Sequence, residues 1–139
     1  MDKAVLDTDT FSELLRAKNL VVTQHGDAYR QRFDCFTISS ISVLEVVKGF
    51  QQVCREDRIS ELIDYLKGIE VLPIDIQPAV IAGKIYGELL RTSQTIGRAD
   101  PMIAGVALHF DLTLVTGNTQ HFERIVRLGF PLRLADWRH

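Results

Sequence analysis

Near its start the chain reads AVLDTD at residues 4–9, a short apolar run followed at once by two acids. Three consecutive apolar residues in this setting predict a strand that is buried on both faces, as strands of a parallel sheet are. An apolar stripe of Phe11, Leu14 and Leu15 comes next and predicts a helix that starts within four residues of the strand. A buried strand that leads directly into a helix is the unit of α/β domains, so this stretch decides the fold class.

The same alternation continues along the rest of the chain. Further strands are predicted at residues 36–38, 69–74 and 112–116, with room for a short fifth at 131–134. Helices are predicted at about 41–49, 55–67, 76–92 and 100–110, and Gly49 and Gly68 mark the ends of the first two. The pattern predicts a three-layer α/β/α domain around a mostly parallel sheet of four or five strands, with residues 96–99 as a short loop.

Length and composition indicate one domain over residues 1–139, since 46% hydrophobic and 24% charged content is typical of a globular chain. No apolar run approaches the roughly 18 residues that cross a bilayer, and the first apolar run is too short for a secretory signal. We therefore expect a cytoplasmic protein that makes no membrane contact. The two cysteines, Cys35 and Cys54, lack the spacing of a zinc site and are expected to be buried or half-buried thiols.

The charge balance argues against a nucleic-acid-binding coat, because 16 Lys and Arg residues stand against 18 Asp and Glu residues, for a formal charge of −2. An RNA-binding function would then need basic residues that cluster locally, or a metal ion that neutralises part of the negative charge. Four basic residues near the polar segments are candidates for such a rim: Lys48, Lys84, Arg91 and Arg98. The alternative for each of them is a solvated helix face.

Acidic or amide side chains follow several of the predicted strands. They are Asp7 and Asp9 after the first strand, Glu45 in the helix after the second, Asp100 at the start of the buried helix, and Asn118 after the fourth strand. Because parallel strands bring their carboxyl ends to one edge of the sheet, we expect these side chains to converge on one crevice. Carboxylates that repel one another at short range are commonly stabilised by a hard divalent cation, so Mg²⁺ or Mn²⁺ is expected there.

Each of these residues also has an ordinary structural explanation. Asp9 or Thr10 is a possible cap of the first helix, with Thr10 and Glu13 at capping-box spacing, as are Ser42 and Glu45. Asp100 before Pro101 is typical of a helix N-cap, and Asn118 after Gly117 is typical of a turn. Asp7 has the weakest explanation of this kind, because it ends a strand and the helix is expected to begin further on. The functional interpretation rests on the whole set.

Four blocks of the sequence, taken in order, resemble the four signatures of VapC-type PIN-domain toxins. They are VLDTD at residues 5–9, ISSISVLEVVKG at 38–49, IGRADPMIAG at 96–105 and LVTGNTQHF at 114–122. The likeness extends from Val5 to Trp137, which is nearly the whole chain. The third block is the most specific of the four.

The resemblance implies a magnesium- or manganese-dependent endoribonuclease that a VapB-like antitoxin neutralises and that is usually a homodimer. It makes Asp7 and Asp100 the principal metal ligands and Glu45 the third acid, with Thr8 and Thr116 supporting the site through hydrogen bonds.

Two positions depart from the family pattern. Asn118 stands where many PIN domains carry a fourth acid, which weakens the case for a second tightly held ion. Asp9 stands where asparagine is common. An antitoxin helix would need an apolar groove, for which the apolar residues of the two helices beside the crevice are candidates if they are not core: Phe11, Leu14, Leu15, Val43, Val46 and Val47.

Three other classes of protein share part of this pattern. Asp7 to Thr10 fits the Asp-x-Asp-x-Thr opening of haloacid-dehalogenase-like phosphatases, but that fold needs a late lysine and the last lysine here is Lys84. A signalling receiver domain would use Asp75 as its phosphate acceptor and also lacks its lysine. A PIN fold that only binds a partner would have no reason to keep three acids.

Overall fold

Five strands and seven helices make up the part of the chain that the computed structural model describes, residues 1–94 and 97–139. The strands are β1 (Ala4–Leu6), β2 (Thr37–Ser39), β3 (Glu70–Leu72), β4 (Thr113–Val115) and β5 (Leu134–Ala135). The helices are α1 (Thr8–Arg16), α2 (Leu20–Phe33), α3 (Ser40–Gln52), α4 (Glu56–Leu66), α5 (Ile76–Arg91), α6 (Ala99–His109) and α7 (Thr119–Arg127). None of the helices in these ranges is long and apolar enough to cross a membrane.

All strand pairs of the sheet are parallel, and the strand order is β3-β2-β1-β4-β5. The first strand lies at the centre, where Leu6 is in register with Ile38 of β2 on one side and with Val115 of β4 on the other. The chain thus leaves β1 toward one half of the sheet and returns later to the other half. Such a reversal of strand order opens a crevice at the carboxyl ends of the central strands, where ligands bind in this class of fold.

Two hydrophobic cores lie on the two faces of the sheet, which confirms the predicted three-layer architecture. Leu6 points into one core with Phe11 and Tyr29, and its neighbour Val5 points into the other with Ile103. The alternation along β1 is that expected of a strand covered by helices on both faces. Burial of α6 from Ile103 to Ala107 confirms that this helix is enclosed nearly all round.

Helix α2 is the largest element that the sequence pattern did not predict. Only Val22, Gly26 and Tyr29 along its 14 residues are buried, so its apolar face is too sparse to give a clear helical period. The Asn19 side chain caps its first turn by accepting hydrogen bonds from the backbone N–H groups of Val21 and Val22. The Tyr29 hydroxyl joins α2 to the central strand, because it accepts from the Ala4 N–H at 3.0 Å and donates to the Ala4 carbonyl at 3.2 Å.

Several other local predictions need correction. Helix α3 runs on past Gly49 to Gln52, α7 was not predicted, and β5 begins only at Leu134 because Pro131 has no N–H to donate to the ladder. Cys54 is exposed and Cys35 half-buried, so the expectation of a covered thiol is wrong for Cys54. The predicted loop at 96–99 begins outside the described residues, at Ile96.

Candidate active site

Asp7 lies at the junction between β1 and α1, and it caps the helix. Its Oδ1 accepts a hydrogen bond from the Thr10 N–H at 2.8 Å, because α1 begins at Thr8, directly after the strand. The expectation that Asp9 or Thr10 would cap a later-starting helix is therefore wrong. Capping uses only one oxygen of this buried carboxylate, so the other oxygen remains for a second interaction.

That second oxygen is bound by Thr116, which follows β4. The Thr116 Oγ1 donates to Asp7 Oδ2 at 2.5 Å and accepts a hydrogen bond from the Asn118 N–H at 2.9 Å. Burial raises the pKa of Asp7, and the hydrogen bonds from Thr116 and from the Thr10 backbone oppose that rise. The supporting position predicted for Thr116 thus corresponds to a direct contact with the predicted metal ligand.

Glu45 reaches the same crevice from α3. The Thr8 Oγ1 donates to Glu45 Oε1 at 2.5 Å and also lies 2.9 Å from the Ser42 Oγ. Ser42 and Glu45 are three residues apart on one helix and so share a face, which is why a hydroxyl from α1 contacts both. They do not form the alternative capping box, because α3 begins at Ser40. The sequence pattern overlooked Ser42 as a site residue, and the three-residue spacing was the available signal.

Asp100 enters the crevice from the first turn of α6, where Arg98 and not Asp100 is the N-cap. Burial raises the pKa of Asp100 to about 6; nearby His121 opposes the rise, and the negative charges of Asp7 and Glu45 add to it. The Nδ1 of His121 lies 3.7 Å from Asp100 Oδ2. The charges of Asp7 and Glu45 thus reach Asp100, although the three predicted acids come from the β1–α1 junction, α3 and α6.

Asp9 and Asn118 form a pair at the exposed rim of this crevice. Asn118 precedes α7, but its side chain makes no capping bond there and instead donates from Nδ2 to Asp9 Oδ2 at 3.1 Å. An amide that donates to a neighbouring carboxylate keeps its own oxygen available as a ligand. The structure thus brings both positions to the rim.

The four predicted basic rim residues differ in their surroundings. Lys48 lies in the hollow that also contains Asp9 and Glu45. Arg98 lines a different hollow, between α5 and the start of α6, together with Met102. Arg91 is bound to Glu88 on the same helix at 2.7 Å. Lys84 is exposed along α5. Lys48 is therefore the member of this set that lies directly beside the acids.

The donor set fits a hard divalent cation, because all the side chains that converge are carboxylates with an amide at the rim. Within residues 1–94 and 97–139, no three histidine, cysteine or acidic side chains are already close enough together to hold an ion. Sharing one ion therefore requires rotation of these side chains. Such rotation is available because, among the residues that the structure describes, Thr8 binds one oxygen of Glu45 and the Asp100 carboxylate is paired with the exposed ring of His121.

An acidic crevice at the carboxyl ends of β1 and β4 is suited to hydrolysis of a phosphodiester with help from a metal ion. The comparison with known proteins agrees with this chemistry. The PIN domain family matches residues 4–128, and the chain belongs to that family. This confirms the resemblance that the four sequence blocks suggested.

The relatives fall within the VapC group of this family, a group of metal-dependent nucleases. The chain is 34% identical over 142 residues to the tRNA(fMet)-specific endonuclease VapC of Salmonella typhimurium, with 99% of each chain covered. It is also 34% identical over 113 residues to the protein of the same name from Shigella flexneri, covering 78% of this chain and 83% of the relative. Among solved structures it is similar to VapBC bound to DNA from Salmonella typhimurium, with a TM-score of 0.80, 32% identity and 99% of both chains covered.

The rival interpretations fail on the geometry as well. A phosphatase of the haloacid dehalogenase type would use the second aspartate as a general acid, but Asp9 is exposed and paired with Asn118. A receiver domain would use Asp75, which is exposed and follows the edge strand β3, two strands away from the centre of the sheet. Asp75 therefore lies away from the crevice that contains Asp7, and Asp9 lies only at its rim.

Proposed function

We propose that this chain is a Mg²⁺- or Mn²⁺-dependent endoribonuclease and the toxin of a toxin–antitoxin pair, folded as one domain over residues 1–139. The observation that carries the proposal is the convergence of three acids from separate segments: Thr8, next to Asp7, donates to Glu45, and the charges of Asp7 and Glu45 raise the pKa of Asp100. Buried like charges are stabilised when a cation binds between them. Relatives that match most or nearly all of the chain are named as enzymes that cleave RNA, which supports the reaction class.

The acids have different parts in the proposed reaction. Asp7 and Asp100 hold the ion, with Asn118 as a further oxygen ligand at the rim. Glu45 Oε1 is held by Thr8, so its Oε2 is left to orient a water molecule and accept its proton as the water attacks phosphorus in line. The opposite P–O bond breaks, and the departing ribose oxygen takes a proton from solvent. A bound Mg²⁺ or Mn²⁺ supplies Lewis-acid polarisation of the phosphoryl oxygen and a lower pKa for water.

The substrate is proposed to be a structured RNA, with tRNA(fMet) as the first to test because the Salmonella relative is named for it. Lys48 is placed to bind a phosphate next to the scissile bond, and Arg98 to bind one beyond Asp100. Lys84 and Arg91 are proposed at the outer rim of the same RNA path. We expect the protein in the cytoplasm, because the proposed RNA substrate takes part in translation there.

The proposed function is tested by replacing Asp7 or Asp100 with Asn and measuring cleavage of tRNA(fMet) and of total RNA with Mn²⁺. Each variant should lose more than about 10²-fold in kcat and should bind Mn²⁺ more weakly by calorimetry. Asp64→Asn is the matched control, because Asp64 is an exposed acid paired with Lys67 on α4. Full cleavage by both site variants would exclude the mechanism, and absence of Mn²⁺ binding by the unaltered protein would favour a binding-only role.

An antitoxin is expected to lie in a groove that leads away from the crevice. The hollow beside Glu45 and a second hollow that includes Leu62 and Tyr65 share Leu15 and Phe50, so the two are continuous. Phe11 and Val46, two of the groove candidates, are instead buried in the core, whereas the other four are partly exposed. A VapB-like segment with apolar side chains fits this groove, and Leu15→Arg should weaken its binding in a pull-down without reducing Mn²⁺ binding.

A homodimer is proposed on the outer face of α5. Ile76, Val80 and Leu90 lie on that face and are 77%, 48% and 56% exposed, which is unusual for large apolar side chains on one helix. Light scattering of the purified protein should give a mass near 31 kDa, twice the 15.7 kDa of one chain. Val80→Lys should convert it to the monomer.

A further inference from the structure

The last residues of the chain turn back from β5 toward the candidate active site. The Asp136 side chain accepts a hydrogen bond from the Arg138 N–H at 2.9 Å, and Trp137 between them is 6% exposed against Tyr29 and Phe36. Both contacts hold the backbone of this segment in place. The Arg138 side chain therefore leaves the main chain from a defined position beside the turn that follows β4.

The guanidinium of Arg138 is bound to Glu13 of α1. Its Nε and Nη2 donate to Glu13 Oε1 at 3.0 and 2.6 Å, and the two side chains are only 28% and 18% exposed. The other oxygen of Glu13 is buried and makes no hydrogen bond within the described residues. Such a pair is costly to break from one side, because the remaining charge is left covered and unpaired. It ties the end of the chain to the helix that Asp7 caps.

Arg138 also covers the turn at residues 116–118. A Cβ atom placed on Gly117 would overlap Nη1 and Cζ of Arg138, and its three nearest neighbours are all atoms of that side chain. The guanidinium thus lies flat against the Gly117 backbone. On either side of this glycine are Thr116, which donates to Asp7, and Asn118, which donates to Asp9.

We propose that Arg138 is a positioning residue of the nuclease site: its ion pair with Glu13 clamps the turn at 116–118 against α1 and so holds the hydrogen-bond donors of Asp7 and Asp9. This inference rests on the proposed function. The guanidinium is not assigned as an RNA ligand, because its Nε and Nη2 both donate to Glu13, whose negative charge neutralises it. A side chain at position 117 would displace the guanidinium from this place.

The experiment compares Arg138→Met, Gly117→Ala and the double variant. Arg138→Met removes the ion pair, and Gly117→Ala pushes the guanidinium away without changing any charge. Each single variant should lower kcat and weaken Mn²⁺ binding by about tenfold, as loss of an outer partner of a metal ligand does, while KM stays within about twofold. The double variant should be no worse than Arg138→Met, because both changes break the same contact. Arg133→Met, which removes an exposed pair with Asp111, is the matched control.

Three results would overturn the clamp. A raised KM with unchanged kcat would make Arg138 an RNA ligand. A lower Tm with unchanged kcat and unchanged Mn²⁺ affinity would make it a purely structural residue. Additive losses in the double variant would show that Gly117 and Arg138 act separately. If the unaltered protein cleaves no RNA, the proposed function fails. The Mn²⁺ affinities of the same variants still test whether Arg138 positions the site.

Discussion

Thr116 and Asp7 are 109 residues apart in sequence, and the hydroxyl of the first donates to Oδ2 of the second at 2.5 Å. With the N–H of Thr10 on Oδ1, both oxygens of this buried carboxylate have a donor. Burial raises the pKa of Asp7, and these hydrogen bonds oppose that rise because they favour the charged form. The neutral side chain of Thr116, which follows β4, thus affects the ionisation of an acid in the crevice.

Replacing Thr116 with Val should therefore weaken the site while keeping the shape of the side chain. Loss of the donor leaves Asp7 harder to ionise, and both Mn²⁺ affinity and kcat should fall about tenfold. Calorimetry and single-turnover cleavage measure the two effects. Thr113→Val at the start of the same strand is the control and should leave Mn²⁺ binding unchanged; an equal loss in that variant would contradict the assignment.

The raised pKa of Asp100 predicts how stability depends on pH in the metal-free protein. Its pKa rises from 3.8 in the unfolded chain to about 6 in the folded one, so ionisation disfavours the fold by roughly 2–3 kcal/mol. The stability that the protonated Asp100 side chain contributes to the fold is fully present below about pH 4 and is lost as the pH rises through about 6.

Urea unfolding of the unaltered protein and of Asp100→Asn tests this direction of the pH dependence. The stability advantage of Asp100→Asn should grow by roughly 2–3 kcal/mol between pH 4 and pH 7. Asp111→Asn, an exposed position, should follow the unaltered protein at every pH. Parallel curves for the unaltered protein and Asp100→Asn would show that Asp100 is not destabilised by ionisation.

Lys48 and Arg91 should differ in their effect on RNA binding. Lys48→Ala should raise KM and lower the slope of log affinity against log salt by about one, as expected for loss of one phosphate contact. Arg91→Ala should change the slope much less, because Arg91 is paired with Glu88 on its own helix. Fluorescence anisotropy at several salt concentrations measures both slopes. Equal slopes in the two variants would show that the RNA does not pass over Lys48.

Tyr29→Phe should affect stability without affecting the chemistry. It removes the hydroxyl that bonds both backbone groups of Ala4, and the cost is about 2 kcal/mol since the Ala4 N–H is left buried without that partner. Denaturant unfolding gives the loss, and kcat at 20 °C should be unchanged. Tyr65→Phe, at a side chain that is 39% exposed, should cost far less.

The sequence pattern predicted the four longer strands and five of the helices, since each of these has a clear apolar run or an apolar face. It failed for α2 and α7, where few residues are buried and polar side chains dominate. Helix α7 buries only Phe122 and Ile125. Two buried apolar residues are too few to show the repeat of a helix in the sequence.

The candidate site was predicted as a set of residues, and its internal contacts were not. The sequence pattern puts the start of the first helix too late, and the earlier start at Thr8 makes Asp7 its cap. Contacts between distant segments, such as Glu13 with Arg138, leave no trace in local spacing. They depend on how β5 returns the chain to the first helix.

The central strand acquires its second neighbour very late in synthesis, since β1 at residues 4–6 pairs with β4 at 113–115. A nascent chain that has emerged only as far as β3 has the first two acids but neither Asp100 nor the hydroxyl that donates to Asp7. Closing so long a loop also slows folding. The complete set of site residues is therefore present only after residues 113–118 have been synthesised, so a truncated product that ends before β4 lacks the site.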